Sequence, residues 1–184
     1  MKSLQGQLLV ASPHLLDTNF SRTVVLMVQH QPQGALGLVL NRPGPWRVHE
    51  LWEKVGKGAC PSTAPVGLGG PVEGPLMAVH QQPLFADAEV YPGLYFATRT
   101  DFLEKIVART DGVFRLFVGF AGWGAGQLET ELTAGGWLTA PAENRLIFDT
   151  DTADIWKVVI EGIGSELMQS SLRIKNRPPD PTVN

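Results

Sequence analysis

The stretch from Phe114 to Leu132 constrains the fold more than any other part of the sequence. It begins as an apolar run, Leu116 to Ala121, whose aromatic and branched residues are typical of a buried strand. The glycines that interrupt this run are Gly122, Gly124 and Gly126. Leucines at helical spacing follow, and Glu129 and Glu131 lie on the opposite side. The stretch therefore predicts a buried strand that ends in a glycine turn and leads into a helix, with backbone N–H groups free above the sheet.

Length and composition limit the classes of protein to be considered. The chain has 184 residues, of which 43% are hydrophobic and 18% charged, as in an ordinary globular domain, and we expect one domain over residues 1–184. A net charge of -3 disfavours direct nucleic-acid binding. The single cysteine, Cys60, fits a reducing compartment, and no apolar run approaches the roughly 18 residues of a membrane span. We expect a cytoplasmic protein that does not bind membranes.

The first half of the chain predicts mostly strands. Apolar and β-branched runs predict strands over 7–11, 23–29 and 35–40, the last two as a hairpin around Pro32 and Gly34. The second strand is apolar on both faces, which predicts a central position. Residues 41–45 predict a turn. Apolar residues at helical spacing then predict a short helix that stops at Gly56; these are Val48, Leu51, Trp52 and Val55.

The second half alternates loops, strands and helices without a regular βαβ order. Residues 57–75 predict a loop, and strands are predicted over 76–81, 94–98, 137–140 and 146–148. A helix is predicted before Arg109, and a last helix begins after Asp151 and ends near Gly162 and Gly164. This pattern predicts an α+β domain with a mixed, largely antiparallel sheet.

Several motifs together resemble one family. They are Leu8-Leu-Val-Ala-Ser-Pro13, Gly37-Leu-Val-Leu-Asn-Arg-Pro43, Gly69-Gly-Pro-Val72, Phe117-Val-Gly-Phe-Ala-Gly-Trp-Gly-Ala-Gly-Gln-Leu-Glu129, Trp137-Leu-Thr-Ala-Pro141 and Leu146-Ile-Phe-Asp149. In this order they resemble the YqgE/AlgH family of bacterial proteins. The resemblance implies an α+β fold in which a split, mixed sheet curls into a pseudo-barrel with several surrounding helices. Some members are named as regulators of alginate production, so the resemblance implies a transcriptional regulator. It implies no reaction, cofactor or catalytic residues. The Pro-rich segment 172–184 matches none of these motifs, and we expect a flexible tail there.

The glycine turn has two interpretations. It could cradle an anion at the start of the helix, or it could be a structural tight turn. Its spacing fits neither the dinucleotide fingerprint nor the phosphate-binding loop, because Gly126 is followed by Gln127 and Leu128. Glu129 would repel phosphate, which favours the structural turn.

Other candidate residues also have two interpretations. Asn41 and Arg42 could bind a carboxylate or phosphate, or could brace the turn through an ion pair with an acid such as Glu73. Trp123 and Trp137 could pack in the core or line a pocket. His80 could approach His30 in space, although the histidines show no metal-binding spacing.

The hypothesis that follows is a non-enzymatic, cytoplasmic regulatory protein that binds a protein partner or a small ligand. The alternative is a hydrolase or transferase with a pocket above the Gly122–Gly126 turn, which would use Arg42, His80 and Glu129. No catalytic residue, cofactor or metal is assigned. The candidate ligand or partner surface consists of Asn41, Arg42, Gly69, Gly70, His80, Gly122, Trp123, Gly124, Gly126 and Glu129.

Overall fold

A computed structural model describes residues 2–54, 60–109 and 112–175, with side chains through residue 170. The strands are β1 (Gln7–Ala11), β2 (Val24–Gln31), β3 (Gly34–Val39), β4 (Pro43–Arg47), β5 (Pro65–Leu68), β6 (Val72–His80), β7 (Ala88–Tyr91), β8 (Leu94–Ala97), β9 (Phe114–Gly124) and β10 (Trp137–Pro141). The helices are α1 (Val48–Lys54), α2 (Thr100–Val107), α3 (Gln127–Thr133) and α4 (Ile155–Lys175). Two short turns are helical, a 3₁₀ turn at Pro83–Phe85 and a π-helical turn at Arg145–Asp149.

The ten strands form one sheet that curls on itself. The main path runs β10-β1-β2-β3-β9-β6-β8-β7, and β4 and β5 branch from it at β9. Among the described strands, only the pair β5–β9 is parallel. The curl brings the end strand β7 back towards the start of β1, where Gln5 Nε2 donates to the carbonyl of Glu89 at 3.0 Å. The resulting half-barrel with surrounding helices confirms the predicted α+β fold.

Strands β1 and β2 lie between two hydrophobic cores, one on each face of the sheet. Leu8 and Leu26 point into the interior of the half-barrel, which α4 covers with Ile155. The alternate residues point to the other face, where Leu9 contacts the core beneath α3. The prediction that the second strand is central and covered on both sides is confirmed. A third core lies between α1, α2 and the strands β5, β6 and β9.

The prediction that Gly122 and Gly124 interrupt the strand that begins at Phe114 is wrong. Strand β9 continues through them, because Gly122 pairs with Leu36 and Gly124 pairs with Gly34 of β3. Of these three glycines, Gly126 alone has a left-handed conformation, with φ 73°, and the predicted turn into a helix is confirmed there, at the start of α3. The first part of β9 pairs with β6 and the last part with β3, so this strand joins the two halves of the sheet.

Three short strands were not predicted from the sequence. Strand β4 occupies the predicted turn after Asn41, and β5 lies inside the Pro- and Gly-rich segment. Strand β7 was also missed. Both β4 and β7 are edge strands, where proline and few apolar residues are tolerated, so they lack the apolar signature of a buried strand. The predicted hairpin is confirmed, but its tip is only two residues, because Gln31 pairs directly with Gly34.

Two predictions near the C-terminus are also wrong. Residues 146–148 belong to the π-helical turn rather than to a strand, and they pack Leu146 and Ile147 into the interior core. Helix α4 continues past Gly162 and Gly164 to Lys175, because a glycine costs a helix only about 1 kcal/mol. Residues 176–184, most of the expected tail, and Val55 and Gly56 lie outside the described residues. No helix in the described ranges is long and apolar enough to cross a membrane.

Candidate functional site

The main cavity of interest is a cleft of about 510 Å³ beside the end of β9, which we call the tryptophan cleft. The connection between β1 and β2 forms one wall with residues 14–17 and Phe20. Helix α3 forms the opposite wall with Gln127 and Glu131. Trp123 of β9 and Trp137 of β10 form the floor. The cleft therefore depends on two separate parts of the chain, residues 14–20 and 122–137.

Three aromatic rings make the floor rigid. The rings of Trp123 and Trp137 meet edge to face, with centroids 6.0 Å apart and planes at 77°. Phe20 stacks on Trp123 at 6.1 Å and meets Trp137 edge-on at 5.4 Å. Both tryptophans are buried, with exposed fractions of 5% and 3%. Aromatic packing of this kind adds to the stability of the fold beyond the effect of burying apolar area, and it fixes the positions of the rings.

Glu131 ties the two tryptophans together. Its Oε2 accepts from Trp123 Nε1 at 2.9 Å and from Trp137 Nε1 at 2.8 Å. Its Oε1 accepts from Gln127 Nε2 at 2.9 Å, one helical turn away on α3. Gln127 Oε1 in turn accepts from the Gly124 N–H at 3.1 Å, so the amide of the strand end is already bonded. All three donors to Glu131 are neutral.

The cleft is acidic as well as aromatic. Its charged side chains are Asp17 and Glu131, and His14 is its one titratable base. Neither carboxylate forms an ion pair with a Lys or Arg side chain in the part of the chain that the structure describes. Asp17 Oδ1 accepts from the backbone N–H groups of Asn19 at 2.8 Å and Phe20 at 3.1 Å, which holds the wall in place. Leu16, 91% exposed, stands at the rim.

The predicted candidates around the glycine turn lie at or beside this cleft. Gly122 and Trp123 line it. Glu129 lies on α3 and contacts His30 Nε2 at 3.0 Å. The Leu4 N–H donates to His30 Nδ1 at 3.0 Å, so Nε2 carries the proton and donates to the Glu129 carboxylate. Hydrogen bonds from a backbone N–H and from His30 lower the pKa of Glu129.

Gly69 and Gly70 lie elsewhere, between the end of β5 and the beginning of β6, beside β9. The Gly69 N–H donates to the Val118 carbonyl at 2.9 Å, and the Val39 N–H donates to the Gly69 carbonyl at 2.8 Å. A Cβ on Gly69 would clash with the backbone carbonyl of Gly119. These glycines therefore permit close backbone approach, and they do not line the tryptophan cleft.

Asn41 and Arg42 brace the turn before β2, although not through Glu73. Asn41 Oδ1 accepts from the Val24 N–H at 3.0 Å, and its Nδ2 donates to the Arg22 carbonyl at 2.8 Å. Arg42 Nη2 donates to the Ser21 carbonyl at 2.6 Å. Both residues border a second cavity, described below.

His80 is buried at the end of β6, opposite Phe114. Its Nδ1 accepts from the Gln82 N–H at 3.2 Å, and its Nε2 has no partner. Burial lowers the pKa of His80 to about 4, partly opposed by the charge of Asp87. Its neighbour across the sheet, Phe114, is nine residues from Trp123 along β9, about 30 Å at the usual strand rise.

The three side chains of the alternative hypothesis therefore do not converge. Glu129 lies at the Trp123 end of β9, His80 at the Phe114 end, and Arg42 beyond the end of β3. His30 and His80 are likewise at opposite ends of this strand, because His30 is aligned with Ala35, which pairs with Trp123. Within the described residues, no group of three His, Cys, Asp or Glu side chains could hold a metal ion.

Sequence reasoning missed most of the cleft. Its wall residues Asp17, Phe20, Gln127 and Glu131 carry no motif that points to a binding site. The one signal is the spacing of Glu131, which lies eight residues after Trp123 and six before Trp137. This spacing becomes informative only when β9 and β10 are known to approach α3.

Comparison with known proteins places the chain in a family. The sequence model of the AlgH-like family matches residues 8–168. A UPF0301 protein of Xanthomonas campestris pv. campestris is 39% identical over 174 residues, covering 90% of this chain and 92% of that protein. Another UPF0301 protein, from Chlorobium luteolum, is 35% identical over 187 residues, covering 97% and 94%.

Two solved structures share the fold. The solution structure of the AlgH protein from Pseudomonas aeruginosa has a TM-score of 0.75 and 31% identity, covering 97% of this chain and 96% of that one. A crystal structure of a Corynebacterium diphtheriae protein has a TM-score of 0.69 and 25% identity, covering 86% of each chain. The chain therefore belongs to the AlgH-like family.

Proposed function

We propose that this protein is a non-enzymatic, cytoplasmic binding protein with a regulatory role, and that its ligand or partner group occupies the tryptophan cleft. The group that fits is a cation attached to an apolar body, such as an organic ammonium or a basic side chain of a partner protein. The observation that carries the proposal is the Glu131 carboxylate, which meets only neutral N–H donors at the floor of an aromatic cleft.

The electrostatics of the cleft support a cationic ligand. Its lining carries Asp17 and Glu131 and no Lys or Arg. The donors that bond the Glu131 carboxylate carry no compensating positive charge, and a charge acts more strongly in a partly desolvated cleft than in water. The faces of aromatic rings also attract cations. An anion would meet repulsion from the same groups.

The size and lining of the cleft support an apolar body. A volume of about 510 Å³ lies within the range of about 300–1,000 Å³ for small-molecule sites. Leu15, Leu16 and Phe20 form an apolar wall above the tryptophans. The regulatory role and the cytoplasmic location rest on the family resemblance and on the composition. Any enzymatic activity would need groups other than Arg42, His80 and Glu129.

A calorimetric titration with matched probes tests the proposal. Phenethylamine and 3-phenylpropionate have similar apolar bodies and opposite charges. We expect saturable binding of the amine and none of the carboxylate at the same ionic strength. Binding of the carboxylate with equal or higher affinity would contradict the proposed cationic ligand.

Two pairs of variants localise the binding. Asp17→Asn removes a charge from the cleft and keeps the acceptor for the turn, and we expect it to weaken amine binding severalfold. Its control is Asp151→Asn, since Asp151 Oδ1 accepts from the Ala153 N–H in a similar turn outside the cleft. Leu16→Ala removes an exposed leucine at the rim, and Leu84→Ala removes one that is 82% exposed elsewhere. Equal effects within either pair would refute binding in the tryptophan cleft.

A further inference from the structure

A second cavity, of about 480 Å³, lies between the turn before β2, the residues after β3 and the beginning of α4. We call it the arginine cleft. Three cationic side chains border it, Arg22, Arg42 and Lys157, against one carboxylate, Asp154. It shares no lining residue with the tryptophan cleft, and its charge has the opposite sign.

The two arginines have no acidic partner within the described residues. Neither forms an ion pair with a carboxylate there. Lys157 has one, Glu161, but at 3.9 Å and with both side chains mostly exposed, so this pair leaves the ammonium accessible. An excess of unpaired positive charge around a cavity favours an anionic ligand.

Hydrogen bonds hold the side chain of Arg42 and the turn that carries Arg22. The Ser21 carbonyl accepts from Arg42 Nη2, which leaves other N–H groups of this guanidinium for a ligand. The buried amide of Asn41 bonds the Arg22 carbonyl and the Val24 N–H, and so fixes the turn that carries Arg22. A cleft whose cations are positioned in advance binds with a smaller loss of entropy.

Arg22 also has a strained backbone. Its φ of 54° is the one left-handed value among non-glycine residues in the described ranges. Such conformations persist where the surrounding structure enforces them, and they concentrate at functional sites. The guanidinium lies 5.8 Å from the centre of the Trp156 ring, and Trp156 Nε1 donates to the Ala11 carbonyl at 2.9 Å. The strained turn therefore directs a cation onto a fixed aromatic ring at the edge of the cleft.

We propose that the arginine cleft binds the phosphate group of a small organic phosphate. A phosphate monoester carries a charge of about −1.5 to −2 at pH 7, which matches the net positive charge of the lining better than a carboxylate does. The planar guanidinium forms parallel hydrogen bonds with phosphate oxygens. The cavity is much larger than a phosphate ion, so it has room for an organic body beside Trp156. This site is additional to the proposed function and does not depend on it.

Calorimetric titrations of the full chain with phenyl phosphate, inorganic phosphate and benzoate at constant ionic strength test this proposal. We expect phenyl phosphate to bind most tightly, inorganic phosphate more weakly, and benzoate at least tenfold more weakly than phenyl phosphate. Absence of saturable phenyl phosphate binding, or equal binding of benzoate, would overturn the proposal. Equal binding of inorganic phosphate would overturn the assignment of an organic ligand.

Variants assign the binding to the cleft. Arg22→Gly should keep the fold, because glycine adopts a φ of 54° without strain, and should weaken phenyl phosphate binding at least tenfold. Lys157→Gln should weaken it severalfold. The control is Arg145→Gln, which removes the same charge from an exposed site paired with Glu143 at 3.6 Å, outside the cleft. Phenyl phosphate affinities that are the same in Arg22→Gly and Arg145→Gln would overturn the proposal.

Discussion

Replacing Glu131 with alanine tests how the tryptophan cleft is built. The change removes the shared acceptor of two buried indole N–H groups and the partner of the Gln127 amide. A buried donor without an acceptor costs about 1–3 kcal/mol. Water can enter from the open side of the cleft and satisfy part of this loss. We therefore take the loss for each indole N–H from the lower part of that range. For the two indoles together, we expect the free energy of unfolding to fall by about 2–4 kcal/mol.

Urea denaturation followed by tryptophan fluorescence measures this loss. The midpoint should fall at an unchanged m-value, since the change alters a contact and not the area exposed on unfolding. For a chain of this length, the melting temperature should fall by roughly 5–15 °C. Glu131→Gln, which keeps an acceptor, should lose clearly less, and Glu161→Ala, in an exposed pair, should change stability by less than about 0.5 kcal/mol. A loss below about 0.5 kcal/mol for Glu131→Ala would refute the bracing role.

Further predictions concern the glycines and His80. Gly69→Ala should destabilise the fold by about 3 kcal/mol or more, because the added Cβ meets the Gly119 backbone. Gly126→Ala should cost only about 1 kcal/mol, because its Cβ enters open space and only the φ of 73° is unfavourable. Equal losses in urea denaturation would refute this difference. The folded-state pKa of His80 is depressed from 6.5 to about 4, so the unfolded chain binds the proton first as the pH falls. The contribution of His80 to the free energy of unfolding should be full above about pH 6.5 and should fall by about 3 kcal/mol towards pH 4. The variant His80→Phe should largely remove this pH dependence. The same slope of stability against pH in both proteins would show that His80 does not cause it.

The sequence indicates most clearly the strands that are buried on two faces. Residues 8–11 and 24–28 form continuous apolar runs because each face of β1 and β2 enters a different core. Strands β4 and β7 lie at edges, and β5 is short and Pro-flanked, so solvent and turns determine their composition instead. The glycines of β9 were misread for a related reason. Pairing with β3 holds them in the strand, and this pairing is a long-range contact that local propensity does not report.

The candidate site could be predicted only in part. Trp123 stands out as an aromatic beside glycines, and the structure places it on the floor of a cleft. The role of Glu131 depends on two tryptophans from different strands, so its sequence pattern is that of a solvent-facing helix residue. In the arginine cleft, Arg42 was a candidate from its position after a strand. Arg22 and Lys157 join it only through the fold.

The central claim is that a cation with an apolar body binds in the tryptophan cleft, and the indole N–H signals of the tryptophans report on it directly. In a nitrogen–proton correlation spectrum of the labelled protein titrated with phenethylamine, the signals of Trp123 and Trp137 should shift together and saturate. Those of Trp46, Trp52 and Trp156, which do not line this cleft, should stay in place. Unchanged Trp123 and Trp137 signals at saturating amine, or equal shifts of all five, would contradict the claim.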